Sequence, residues 1–255
     1  IPDNPFHFGA LGNLLRGVLG RLENRVHGAD GSLNIQTGGG DDTITLNAVT
    51  GASDSVGNGP WHLFGGLWCF GNQWTVSPGS GDDTVTFDTV QTPGSLAIRG
   101  GFGNDTVDLK NTTVSGFTNV SLGLGQDQLQ VSGSTFTGPA HLAAGLGDGQ
   151  TISVDDSTFQ SFAGFSVPGS GAQLKLETNG TAGPGTTFDR GVFVSLPGPS
   201  AVADFASPGS GNTLDFKGFV FVFGGDPSAT VNIATANTTI DDDKLFLFSA
   251  DRNDV

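Results

Sequence analysis

The chain has 255 residues, a formal net charge of -15, only 14% charged residues, 42 glycines, and no methionine or tyrosine. Ten basic residues against 25 acidic ones exclude the phosphate neutralisation on which duplex nucleic-acid binding depends. No apolar run reaches the ~18 residues of a membrane-spanning helix, low charge density excludes a charge-rich disordered chain, and glycine without a strict triplet period excludes collagen.

The first thirty residues differ from the rest. IPDNPFHF, from Ile1, reads as an extended arm. Leu11, Leu14, Leu15, Val18, Leu19, Leu22 and Val26 then follow the spacing of one helix face, which predicts an amphipathic helix. Residues 1–30 are therefore expected to form an N-terminal arm and capping helix. Such a cap would cover strand edges and apolar columns that otherwise invite aggregation. The chain starts at Ile1 and lacks methionine, which is the expectation for a secreted or cell-surface protein whose signal peptide has been removed. The single Cys69 forms no internal disulfide, so stability must come from packing and repetition.

Residues 31–255 are built on a repeat. GGGDDTITL from Gly38, GSGDDTVTF from Gly79, GFGNDTVDL from Gly101, GLGQDQLQV from Gly123 and a drifted GLGDGQTISV from Gly145 align without gaps. The last four start at a fixed step of about 22 residues, and the longer first step implies one repeat plus an insertion. After each glycine corner, apolar residues alternate, as in Ile44/Leu46, Val85/Phe87, Val107/Leu109, Leu129/Val131, Ile152/Val154 and Leu174/Leu176. Leu214/Phe216 and Val231/Ile233 are read into the same series. Period two with one apolar face predicts a half-buried strand. A second, shorter stretch follows at Thr89-Val90, Thr113-Val114, Thr135-Phe136 and Thr158-Phe159. A third precedes the glycines, in SLNI from Ser32, SLAI from Ser95, NVSL from Asn119 and HLAA from His141. Three strands per coil predict an all-β fold, a single-stranded right-handed parallel β-helix of about eight coils capped by the N-terminal helix. Stacking joins columns that no coil can bury alone.

The insertion, near residues 51–74, carries Trp61, Trp68 and Trp74 beside Cys69. So apolar a segment must bury itself, as local core, as an interface to a partner, or as a stacking surface for sugar rings. Towards the C-terminus, FVFVF at 219–223 and LFLF at 245–248 are strongly β-forming and offer a docking edge.

The segments GGGDD, GSGDD and GFGND resemble the loops of haemolysin-type calcium-binding (RTX) β-rolls, whose repeat is GGxGxDxUx. The likeness covers about nine residues of each unit. The longer coil is closer to secreted right-handed parallel β-helix proteins, such as pectate-lyase-like and adhesin-type solenoids. The resemblance implies export and a parallel solenoid more strongly than it implies calcium. Asp42, Asp83, Asp105 and Asp127 occupy equivalent positions, with Asp41 and Asp82 beside two of them. Stacked carboxylates fit either calcium ligands between coils, the one candidate cofactor, or acceptors for backbone N–H groups in tight turns.

No catalytic motif unites His7, His27, His62 and His141. Asp155, Asp156 and Asp189 are candidate acids that no spacing selects. The expected function is that of an extracellular structural or assembly protein without catalytic activity: a filament subunit, surface-layer component or adhesin. Its expected partner is itself, end to end as a homopolymer, with Ile1, Pro2, Phe6, Phe8, Leu245, Phe246, Leu247 and Phe248 at the contact. The alternative is a carbohydrate-active β-helix enzyme, a polysaccharide lyase or glycosidase, or a glycan-binding module using Trp61, Trp68 and Trp74 on cell-surface polysaccharide.

Overall fold

A computed structural model describes residues 33–48, 73–177, 183–205, 212–234, 238–240 and 244–249. These residues form only strands and their connections, in three parallel sheets visited in turn. The first sheet has nine strands, from Leu33–Gly39 to Leu245–Ser249. The second has eight, from Thr43–Asn47 to Thr230–Ile233. The third has seven, mostly very short, from Gln91–Thr92 to Thr238–Ile240. Each strand pairs in parallel with its equivalent one coil away, so the chain is a parallel β-solenoid.

Alternation sets the interior. Val107 and Leu109 face inward between Val85 and Phe87 on one side and Leu129 and Val131 on the other, and all six are buried. Each such side chain contributes about 1.5–3 kcal/mol of burial. In the third sheet, Phe136, Phe159, Phe188 and Phe216 stack with ring centroids 4.8, 4.8 and 5.0 Å apart. That spacing is the separation of paired strands, so register alone places ring on ring.

The coil length changes along the rod. Hydrogen bonds link residues 22 apart at Asp83–Asp105 and Asp105–Asp127, but 29 apart at Ser157–Thr186 and 28 apart at Ser200–Ser228. The step of about 22 residues therefore lengthens beyond the middle of the rod. Gly169 also lies over Gly147 rather than Gly145. Gly38 pairs with Gly79, so the first long step is one coil carrying an insertion.

Three finer expectations need correction. Leu214–Phe216 belongs to the third sheet, where Leu214 pairs with Thr186; the second-sheet place in that coil is taken by Val202–Phe205. In the short series, the partner of Thr113-Val114 is Gln91-Thr92 rather than Thr89-Val90. Trp74 is not part of the insertion: it pairs with Leu33 and Leu96 within the first sheet. Alternation fixes which residues face inward but does not say which sheet a strand joins, and that ambiguity underlies the first two errors. The expected capping helix in residues 1–30, and Trp61 and Trp68, lie outside the described residues.

Candidate functional site

The glycine corners have two ladders of side-chain to backbone hydrogen bonds, and they run in opposite directions. On the inner side, the Asp42 N–H donates to Asp83 Oδ1 (2.8 Å), Asp83 N–H to Asp105 Oδ1 (3.0 Å) and Asp105 N–H to Asp127 Oδ1 (2.9 Å). Here each carboxylate accepts from the coil before it. On the outer side, Asp82 N–H donates to Asp41 Oδ1 (3.0 Å), Asn104 N–H to Asp82 Oδ1 (2.7 Å) and Gln126 N–H to Asn104 Oδ1 (2.8 Å). There each side chain accepts from the coil after it. The two ladders clamp successive corners together, and Asn104 serves in the outer one as well as an aspartate does.

The inner column is buried: Asp83, Asp105 and Asp127 are almost fully enclosed. Gly100 makes room for one of them, since a Cβ there would lie 2.4 Å from Asp105 Oδ2. The second oxygen of Asp42, Asp83, Asp105 and Asp127 is buried without a hydrogen-bond partner. Burial therefore pushes Asp83 and Asp105 up to about 6, against the pull of one backbone N–H each and with further push from neighbouring carboxylates. For Asp83 those neighbours are Asp42, Asp41 and Asp82; for Asp105 they are Asp83, Asp127 and Asp82. Burial raises Asp127 as well.

A calcium cage draws six to eight oxygens towards one point. The column instead offers its free oxygens singly, coil by coil, and among the described residues no group of three or more His, Cys, Asp or Glu side chains is placed to hold a metal ion. The arrangement suits the hydrogen-bonding role of these aspartates.

These carboxyls give the fold an unusual pH response. The folded state keeps protons near pH 5 that the unfolded chain, with aspartate at 3.8, has released. Their stabilising contribution is complete below the unfolded value and is lost as pH rises through about 6. The melting temperature is expected to be several degrees higher at pH 4.5 than at pH 7.5, as a rough figure from one to two raised groups. Asp105→Asn keeps an acceptor for the Asp83 N–H and removes the buried charge. It should raise the melting temperature at neutral pH and flatten the profile. A lower melting temperature for Asp105→Asn at neutral pH would show that the ladder needs the charge itself.

The second feature lies at the C-terminal end of the first sheet. In Val220–Gly224 and Leu245–Ser249, Val220, Val222, Leu245 and Leu247 share the inward parity, while Phe221, Phe223, Phe246 and Phe248 share the outward one. The outward rings form two stacks, Phe221 on Phe246 (4.6 Å) and Phe223 on Phe248 (5.0 Å). Phe193 extends the first stack by one coil (5.7 Å), and the Phe219 ring packs edge-on against Phe193 and Phe221. Phe219 covers Gly191, where a Cβ would lie 2.1 Å from the ring. Phe193, Phe223, Phe246 and Phe248 are each more than two-fifths exposed, an apolar face unlike the ordinary scatter of single surface hydrophobics. FVFVF at 219–223 and LFLF at 245–248 were expected at a docking edge; Phe193, one coil earlier, adds a ring that neither segment contains.

The two ends of the described solenoid are not equivalent. In the first coil Leu33, Ile44 and Leu46 are at most 4% exposed and Ile35 is partly buried. In the last, the inward Leu247 is 58% exposed.

Structure accounts for Trp74, Asp156 and Asp189 among the other candidates. Trp74 is 0% exposed, so it is core rather than a partner or glycan surface. Asp156 Oδ1 accepts the Gly185 N–H (3.0 Å), and buried Glu177 accepts from the Asp156 N–H, Thr186 Oγ1 and Asn212 Nδ2. This cluster closes the corner where the coil lengthens. Asp189 pairs with Lys217 at 2.8 Å. Ile1, Pro2, Phe6 and Phe8 lie outside the described residues.

The described residues define a parallel β-solenoid whose last coil presents an exposed aromatic face. No family model, no curated protein and no solved structure matches the chain.

Proposed function

We propose that the chain is an exported structural β-solenoid that assembles with copies of itself end to end and performs no catalytic step. The observation that carries this reading is the open C-terminal end, where the inward Leu247 and the outward Phe246 and Phe248 stand exposed together. An unpaired, apolar strand edge is a template for another chain. The net charge of -15 keeps such a rod soluble while leaving short-range contacts free to choose its partner. Right-handed coiling follows from the general hand of parallel crossovers. The arm at Ile1, Pro2, Phe6 and Phe8 is assigned to the joint at the other end of the rod.

Electron microscopy of natively purified protein, with sedimentation across a concentration series, tests the reading. Rods joined at their ends are expected, with longer chains of rods shortened by deletion of residues 1–8. Single dispersed rods at every concentration would remove it.

A further inference from the structure

We propose that the C-terminal joint is two-fold: the strand Leu245–Ser249 of one copy pairs antiparallel with the same strand of a second copy, centred on Leu247. This inference rests on the self-assembly reading and names the partner of that site.

Three observations select a second copy in this orientation. First, the strand ends its sheet, with Val220–Gly224 as its neighbour on one side and no described strand on the other. Second, a head-to-tail joint would have to be received by the first coil, where Leu33, Ile44 and Leu46 are already buried and Ile35 is partly buried. The open end therefore meets its match only in another open end. Third, the strand is complementary to itself under a two-fold axis. In antiparallel pairs, directly opposed residues share a face. Centring on Leu247 sets Leu247 against Leu247, Phe246 against Phe248 and Leu245 against Ser249, so all five residues of the strand pair. Every inward position meets an inward one and every outward ring meets an outward ring. The stacks Phe221–Phe246 and Phe223–Phe248, already formed within one chain, then continue across the joint. Shifting the register by a single residue would place Phe246 opposite Leu247 and break both faces. An isologous contact of this kind closes on itself, so it yields a dimer and cannot by itself yield a filament.

Each copy brings the same net charge, so the joint is expected to tighten as salt rises, through screening of like charges.

The decisive experiment is cysteine trapping in full-length chain carrying Cys69→Ser. Opposed Cα atoms of an antiparallel pair lie within the span of a disulfide. Mild oxidation of Leu247→Cys is expected to give near-complete conversion to a species of twice the 26.0 kDa chain mass. The equally exposed Leu146→Cys, in mid-rod, should stay single. Leu247→Lys should leave the circular dichroism and melting of the single rod unchanged while lowering the sedimenting mass at least twofold. If Leu247→Cys instead cross-links only to Ile35→Cys chains in a mixture, the joint is head to tail. That result overturns the two-fold arrangement and leaves end-to-end assembly standing. Capture of Leu247→Cys only by a different protein overturns the choice of occupant. A single chain at all concentrations and salt levels overturns both the joint and the assembly reading.

Discussion

Gly101→Ala is expected to destabilise the solenoid by about 2–6 kcal/mol, combining backbone strain with steric overlap. Gly101 has φ +123°, a region that L side chains rarely adopt. A Cβ there would also lie 1.7 Å from the Gly79 carbonyl oxygen of the neighbouring coil. That oxygen belongs to backbone held by the sheet ladder, so it cannot swing aside as a flexible side chain would. Gly38 separates the two causes. It has φ +111° at the equivalent corner, but no atom of the described residues lies within 4 Å of its would-be Cβ. Gly38→Ala should therefore cost only the strain, about 1–3 kcal/mol. Urea unfolding of both variants tests the argument. Equal losses would mean that the close stacking of corners is not what demands glycine.

Phe188→Ala is expected to cost about 3–5 kcal/mol, in the range of large aromatic truncations in a core. The Phe188 ring is wholly buried, stacked between Phe159 (4.8 Å, interplanar 17°) and Phe216 (5.0 Å, 7°), with Phe165 edge-on at 5.9 Å. Sheet pairing fixes the coils above and below, so the gap cannot collapse without breaking register. Phe193 is also stacked, on Phe221, but lies on the outer face and is 44% exposed. Phe193→Ala should leave the unfolding midpoint of the single rod within about 1 kcal/mol of the parent. If the two substitutions destabilise equally, burial is not what distinguishes the inner stack from the outer one.

Particular residues mark how far the sequence could be read. Val107/Leu109 and Leu129/Val131 were placed on the inward face correctly, because successive side chains on a strand point to opposite faces and the pattern is local. Asp83, Asp105 and Asp127 were recognised as equivalent, because a fixed step superposes them. The choice between a metal and backbone N–H groups was not legible, since it turns on where each Oδ1 points across a distance of one coil. The lengthening of the coils near Glu177 was hidden as well: an extra bend between strands changes no alternation, so Leu214/Phe216 was assigned to the wrong sheet.

By itself, then, the sequence determined the repeat, the glycine corners, the inward parity of the strands that follow them and the concentration of phenylalanine near the C-terminus. These depend on neighbours a few residues apart. Only the tertiary structure decided that the two aspartate ladders run in opposite directions, that Trp74 is core, and that the phenylalanines of the last strands form stacks on an outer face. It alone showed that Leu247 in the last coil stands exposed while Leu33, Ile44 and Leu46 in the first are buried. Each of those outcomes is set by which coil lies on which and where stacking stops, and contacts between coils, 22 to 41 residues apart in the chain, carry no local signature.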